Sequence, residues 1–141
     1  MLETGKSICV LPKLEGLGGP ASFLARFSTA VRGRGIEIHH DPDAQDCAAI
    51  LVISGTRHLD KLWKARRRGV RIVQRLDGMN WIHRKRRTGL RHYLRSEKNN
   101  QIMATVRRHL ADAIVYQSRY VEENWGKVFG QVNAVSHQIY N

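Results

Sequence analysis

The sequence contains few cysteines, few acidic residues and no long apolar run. Cys9 and Cys47 are the two cysteines among 141 residues and no C-x-x-C pair occurs, so a disulfide framework is not expected. No segment approaches the ~18 consecutive apolar residues that span a membrane. The first residues also lack the long apolar segment of a signal peptide. These absences predict a reduced, cytoplasmic protein.

Several motifs of catalytic and metal sites are also missing. The seven histidines show no H-E-x-x-H spacing, so a metal site is not expected. No G-x-S-x-G elbow is present, which leaves hydrolase chemistry with little support. The glycine-rich stretch LEGLGGP matches neither G-x-G-x-x-G nor the phosphate-binding P-loop, so a dinucleotide-binding unit is disfavoured. We therefore expect neither a metal nor a bound cofactor.

Positive charge is abundant and unevenly placed. The chain has 24 Lys and Arg against 12 Asp and Glu, a net charge of +12. Residues 57–108 hold 17 of the basic and 3 of the acidic residues, which concentrates the positive field on one part of the chain. Such a field suits phosphates, nucleic acid or an anionic membrane surface, and it also suits a solvated face without a ligand.

Short apolar runs alternate with helix-like stretches. The clearest run, residues 48–53, is typical of a strand covered on both faces of a parallel sheet. Similar runs predict strands at residues 8–11, 36–39, 70–76, 113–116 and 135–140. Helices are predicted after residues 20, 58 and 120, and a fourth through the apolar stripe Ile102, Met103, Val106 and Leu110. In the helix after residue 58, Leu59, Leu62 and Trp63 are predicted to form the inner face. Residues 79–96 fit either a basic loop or a broken helix.

This alternation predicts an α/β fold. We expect one Rossmann-like three-layer α/β/α domain with a mainly parallel sheet over residues 1–141. Ligands of such sheets bind outside the carboxyl ends of the strands. Five loops lie there in this prediction, at residues 14–19, 40–43, 54–57, 77–88 and 117–119.

Two of these loops carry candidate site residues. Gly18 and Gly19 precede a predicted helix that begins near Pro20, where free N–H groups favour an anion, although a tight β–α turn would use the same residues. Asp77 ends a strand, and Asn80, His83 and Arg84 follow it within the stretch QRLDGMNWIHRKRRTG. A carboxylate among guanidinium groups suits hydroxyl binding; the alternative is an ion pair that orders the loop.

The basic segment after Asp77 carries apolar residues as well. Leu90, Tyr93 and Leu94 lie among four arginines at positions 86, 87, 91 and 95. This pattern is consistent with a basic amphipathic surface for anionic lipid. The same charges could contact RNA, but no recognised nucleic-acid module is present.

Three segments resemble family 4 glycosyltransferases of the GT-B fold. GGPASFLARFSTAVRGRGIEI is similar to their Gly-Gly loop and the helix that follows it. DAIVYQSRYVEENW resembles their AD-x-V-x-x-x-S-x-x-x element. The final QIYN resembles the segment that leads into their second domain. The resemblance implies the N-terminal, acceptor-side half of a retaining enzyme that uses a nucleotide-sugar donor and a hydroxyl acceptor.

The resemblance also implies residue roles. Gly18 and Gly19 match the loop that approaches the donor phosphates and acceptor. Asp77 matches the residue near the transferred sugar and is the catalytic candidate, and Ser118 matches the serine after the next strand. Arg84 to Arg87 would guide a phosphate-bearing or membrane-associated acceptor.

The family's donor-binding domain is not expected within these 141 residues. We therefore expect no activity from the chain alone, and self-association or a partner domain covering an exposed interface. The location implied is the cytoplasm, including the inner face of the membrane. The alternative is a basic module that binds an anionic membrane surface or nucleic acid, of which nucleic acid is the less favoured.

Overall fold

A computed structural model describes residues 6–16, 18–80 and 82–140, without the side chains of Ile82 and His83. The strands are β1 (Ser7–Leu11), β2 (Glu37–His39), β3 (Cys47–Ile53), β4 (Arg71–Leu76), β5 (Ala113–Tyr116) and β6 (Val135–Gln138). The helices are α1 (Gly19–Arg32), α2 (Leu59–Arg67), α3 (Ile82–Lys85), α4 (Leu90–Thr105) and α5 (Arg119–Phe129). One π-helical turn, Val106–Leu110, extends α4.

The six strands form one parallel sheet in the order β2-β1-β3-β4-β5-β6. The predicted Rossmann-like α/β/α fold is therefore confirmed. Parallel neighbours require crossover connections, and a right-handed crossover places its helix according to the direction of travel along the sheet. From β3 to β6 the chain moves steadily one way, whereas from β1 to β2 it moves the other way.

That direction of travel separates the helices into two layers. On one face, α2, α4, the π-helical turn and α5 pack over the sheet, with Leu62, Val106 and Trp125 fully buried beneath them. On the other face, α1 packs through Phe23 and Phe27 against a smaller cluster centred on β1 and β3. None of the residues of α1 is buried, so this second layer is thin.

The inner face of α2 differs from its prediction. Leu62 and Ala65 are buried and Leu59 packs against them, but Trp63 is 53% exposed. The prediction that Trp63 faces inward is wrong. Each residue advances about 100° around a helix, which places residue 63 at the border of the stripe formed by its three neighbours.

The ambiguous residues 79–96 form a broken helix. The short α3 ends at Lys85, and α4 begins after Gly89, whose φ of 95° favours glycine. The predicted stripe of α4 is confirmed by the burial of Met103, Val106 and Leu110. The beginning of α4, by contrast, projects from the core.

Cys9 and Cys47 are distant in sequence but lie in the same buried cluster on β1 and β3. Both thiols are free. The hydrogen bond between the two thiols raises the pKa of Cys9 and lowers the pKa of Cys47 to about 7. The Cys9 thiol therefore keeps its proton to a higher pH than the Cys47 thiol does, and the two sulfur atoms form no disulfide.

Candidate ligand cleft at the carboxyl ends of the strands

A cleft of about 480 Å³ opens at the carboxyl ends of β1, β3 and β4. β1 and β3 are neighbours, yet β1 connects to β2 on its other side. The loops leaving β1 and β3 therefore separate, and the gap between them is where ligands of open α/β sheets bind. The described lining combines apolar and polar side chains: Pro12, Leu14, Pro20, Ile53, Ser54, Thr56, Arg57, His58, Asn80, Asn99, Ile102 and Met103, with Gly55.

Ser54 turns the chain into the cleft through a left-handed backbone. Its φ is 68°, which is uncommon for a residue other than glycine. Two contacts with β4 hold it: its N–H donates to the Arg75 carbonyl at 2.9 Å, and its carbonyl accepts from Gln74 Nε2 at 2.7 Å. Sparsely populated backbone conformations that are fixed from several sides cluster at functional sites.

Gly55 allows α4 to form one wall of the cleft. A Cβ atom at this position would lie 3.1 Å from Met103 Cγ and 3.2 Å from Ile102 Cγ2, closer than ordinary contact. Gln74, fully buried, also donates from Nε2 to the Met103 carbonyl at 3.0 Å. The side-chain nitrogen of Gln74 thus hydrogen-bonds to both the loop after β3 and α4, which holds the two together.

The loop after β3 presents polar groups at the start of α2. Thr56 is buried, and its hydroxyl accepts a hydrogen bond from the His58 N–H at 3.2 Å. Arg57 and His58 are exposed side chains of the cleft lining. Within the described ranges no hydrogen bond or ion pair to Arg57 is recorded, so its guanidinium group can contact an anion without breaking an existing pair.

Asn100 fixes Asn80 at the opposite side of the cleft. The Asn80 N–H donates to Asn100 Oδ1 at 2.9 Å, and Asn100 Nδ2 donates to the Asn80 carbonyl at 2.9 Å. Asn100 is fully buried, whereas Asn80 is exposed and lines the cleft. These two hydrogen bonds fix the backbone of Asn80 in the loop after β4. Within the described residues, no hydrogen bond of the Asn80 side chain is observed.

The predicted glycine loop lies beside this cleft. Gly18 and Gly19 immediately precede Pro20, which belongs to the lining. Gly18 adopts a φ of 142°, and neither glycine would meet another atom within 4 Å through an added Cβ. The backbone of Gly18 thus requires glycine for its conformation, and the space around both residues is open.

Asp77 lies outside the described lining of the cleft. Its Oδ1 accepts from Arg75 Nη1 at 2.8 Å, and its carbonyl accepts from Trp125 Nε1 at 3.1 Å. Arg75 is 3% exposed and stacks its guanidinium group on the Phe23 ring, 4.1 Å from the ring centroid. The carboxylate thus forms an ion pair with β4 that orders the Arg75 guanidinium group against α1. Among the described residues of this stretch, Asn80 alone reaches the cleft.

The remaining predicted residues lie apart from the cleft. Arg84 forms a two-pronged ion pair with Glu97 at 2.6 and 3.0 Å, and this carboxylate raises the pKa of Arg84. Arg87 is exposed in the segment between α3 and α4. Ser118 caps α5, because its hydroxyl accepts from the Val121 N–H at 3.2 Å. The side chain of His83 lies outside the part that the structure describes.

Two further properties concern metals and membranes. Over residues 6–16, 18–80 and 82–140, no group of three or more His, Cys, Asp or Glu side chains is arranged to hold a metal ion. Among the helices described, none combines the length and the apolar content needed to cross a bilayer.

The sequence predicted part of this cleft and missed other parts. Three of the five predicted loops meet in it, those after β1, β3 and β4. The supporting residues Gln74 and Asn100 were not predicted. Gln74 lies between the buried Ile72 and Leu76 on one face of β4, and a polar residue on an apolar strand face could have identified it, since buried amides need hydrogen-bonding partners. Asn100 has no such signal, because the buried face of α4 also includes Ser96.

Comparisons of the chain with protein-family models, with curated proteins and with solved structures gave no match. The functional inference therefore rests on the residues and on the geometry of the cleft.

Proposed function

We propose that this domain is the acceptor-binding half of a retaining glycosyltransferase that takes its sugar from a nucleotide-sugar donor. The observation that carries the proposal is the cleft at the topological switch point, where apolar walls face a small set of polar groups. Small-molecule sites are typically concave and mostly apolar, with a few polar groups that fix orientation. The resemblance of the Gly-Gly loop to family 4 enzymes agrees with this position, because Gly18 and Gly19 immediately precede Pro20 of the lining.

The chemistry of the cleft suits a sugar with a phosphate group. Arg57 would contact the phosphate, since a guanidinium group matches phosphate oxygens. Asn80 and Asn99 would exchange hydrogen bonds with hydroxyl groups, and Ile102 and Met103 would cover an apolar sugar face. The open backbone at Gly18 and Gly19 allows a second phosphate to approach the beginning of α1.

The proposal gives Asp77 a role at the sugar and assigns the donor nucleotide to a second domain outside these 141 residues. Because Asp77 lies outside the described cleft lining, this role requires the transferred sugar to extend beyond the cleft, where Asp77 would accept a hydrogen bond from a sugar hydroxyl while it keeps its contact with Arg75. Transfer requires the acceptor and the donor to be held together, and this positioning supplies much of the rate. Residues 1–141 alone are therefore expected to bind ligand without catalysing transfer.

A binding experiment with a matched pair of variants tests this function. Isothermal titration of the chain with UDP-hexoses, GDP-hexoses and hexose phosphates should give saturable binding to at least one ligand class. Arg57→Gln should weaken that binding about tenfold, the loss of one charged contact. Arg67→Gln removes the same charge at an exposed position of α2 and should change the affinity by no more than about twofold. Equal losses in the two variants, or rapid transfer by the chain alone, would contradict the proposal.

The exposed beginning of α4 favours a second function, binding to an anionic membrane surface. Leu90 is 74% exposed and Leu94 is 59% exposed, with Tyr93 beside them at 42%. Arg91 and Arg95 are exposed within the same turns. Apolar side chains bordered by arginines suit a helix that lies in the interface of a bilayer.

Lipid and nucleic acid can be distinguished at this surface by its leucines. Leu94→Ser should reduce sedimentation with phosphatidylglycerol vesicles several-fold, because each buried apolar side chain contributes to interfacial binding. The same variant should leave binding to single-stranded RNA unchanged, since that binding rests on charge. Equal sedimentation of the parent chain with neutral phosphatidylcholine vesicles would contradict an anionic surface as the target.

A further inference from the structure

The second face of the sheet is half bare. Because β3, β4, β5 and β6 follow one another in one direction, their crossover helices lie on the same side. On the other side α1 covers β1 and β3 and reaches β4, where Arg75 stacks on Phe23 and Val73 belongs to the same cluster. Of the helices that the structure describes, none packs over β5 and β6 on the α1 side. Parallel sheets are normally covered on both faces.

The bare half-face is mostly apolar, and its buried charge, Arg75, is paired with Asp77. Val73 of β4 and Val115 of β5 are half-buried on this face. Because side chains alternate along a strand, Leu76 and Ile114 lie on the opposite face, where they are buried in the cluster that includes α5. In β6, Ser136 and Gln138 bond to Glu122 of α5, so Val135 alternates to the open side and is 61% exposed. Ile139 and Tyr140 complete this surface at 57% and 67% exposure.

These residues and α1 enclose a groove with the dimensions of a helix. Its volume is about 480 Å³, and Phe23 and Phe27 of α1 form its far side. Three adjacent strands span about 10 Å, which matches the diameter of one α-helix with its side chains. Ile139 is held in place because its N–H donates to the Tyr116 carbonyl at 3.0 Å, so the groove extends to residue 139.

The border of the groove is positively charged. Arg26 lines it, is exposed, and has no hydrogen bond or ion pair recorded to the described residues. A second copy of this chain, with a net charge of +12, would oppose like charges across the groove. Acidic residues would instead meet Arg26.

We propose that this groove is the docking site of an amphipathic helix with acidic residues along its border, supplied by a partner protein. The apolar stripe of that helix would cover Val73, Val115 and Tyr140 and thereby complete the missing part of the α1 layer. Acidic residues of its border would pair with Arg26. This surface lies on the face of the sheet, apart from the ligand cleft at the strand ends.

The test uses two synthetic helices of about 18 residues, long enough to be helical in solution. Both carry the same leucine stripe, one bordered by glutamate and the other by lysine. Titrated into the labelled chain at physiological salt, the glutamate peptide should bind saturably with one site, and at least about tenfold more tightly than the lysine peptide. Amide shifts in an NMR titration should centre on residues 73, 115 and 139.

Two charge-reversal variants separate docking from general attraction to a basic protein. Arg26→Glu should weaken the glutamate peptide about tenfold and strengthen the lysine peptide. Arg91→Glu, the same charge change on α4, should alter neither by more than about twofold. Equal effects of the two variants, binding by neither peptide, or sedimentation of the chain as a dimer that excludes the peptide would overturn the proposal.

Discussion

Replacing Asn100 by leucine removes the two hydrogen bonds that hold the Asn80 peptide unit at the wall of the cleft. Leucine has the same branched arrangement of side-chain heavy atoms as asparagine, with larger methyl groups, so this fully buried position keeps its side-chain shape apart from some overpacking. The N–H and the carbonyl of Asn80 each lose a partner at 2.9 Å. Water can reach the exposed Asn80 and replace part of the loss.

Each such hydrogen bond contributes about 1 kcal/mol net, so we expect a loss of about 1–3 kcal/mol in the free energy of unfolding. For a domain of this size that corresponds to a fall in melting temperature of roughly 3–10 °C. Urea unfolding, followed by circular dichroism, measures the free energy directly. Gln101→Leu serves as control, because this neighbouring residue is exposed and should change stability by less than about 0.5 kcal/mol.

The same variant should affect the cleft beyond its effect on stability. At a temperature where both proteins are folded, Asn100→Leu should lower the affinity for a cleft ligand several-fold, because Asn80 is no longer held in one position. The amide resonance of Asn80 should broaden or shift. If stability falls and both the ligand affinity and the Asn80 resonance stay unchanged, then Asn100 does not position the cleft.

Four further substitutions give three separate tests. Gly55→Ala places a Cβ against α4 and should cost about 1–3 kcal/mol of stability and narrow the cleft; a stability within experimental error of the parent would show that α4 moves freely. Leu62→Ala should cost about 2–5 kcal/mol, whereas Trp63→Ala, at 53% exposure, should cost less than 1 kcal/mol; the reverse order in urea unfolding would contradict the observed face of α2. Ser118→Ala should cost about 1 kcal/mol through loss of the α5 cap and leave cleft affinity unchanged; a selective loss of affinity would instead place Ser118 at the ligand.

Strands and layers could be predicted from the sequence because their signal is local. The apolar run at residues 48–53 reads as a buried strand without knowledge of its neighbours, and β3 covers Cys47–Ile53. The prediction for Trp63 failed because apolarity alone does not fix the angular position of a residue at the border of a stripe. Burial of that side chain depends on what α2 packs against, which is decided by sheet order.

The supporting contacts of the cleft could not be predicted for a related reason. Gln74 meets Ser54 and Asn100 meets Asn80 across separations of 20 residues each. The partners in such contacts depend on strand order and on the exact placement of α4, so they leave no local pattern in the sequence, even where the strand pattern marks Gln74 itself as a buried polar residue. For Asp77 the sequence left two alternatives, a site role and an ion pair; the ion pair with Arg75 is observed, and the site role stays a prediction.

The most direct test of the central claim is an NMR titration of the ¹⁵N-labelled chain with nucleotide-sugars and hexose phosphates at physiological salt. If the switch-point cleft binds these ligands, the saturable amide shifts will centre on Ser54, Thr56, Arg57 and Asn80, with Gly18 and Gly19 affected beside them. Shifts confined to the exposed arginines of α4, or no saturable shifts with any of these ligands, would contradict the claim.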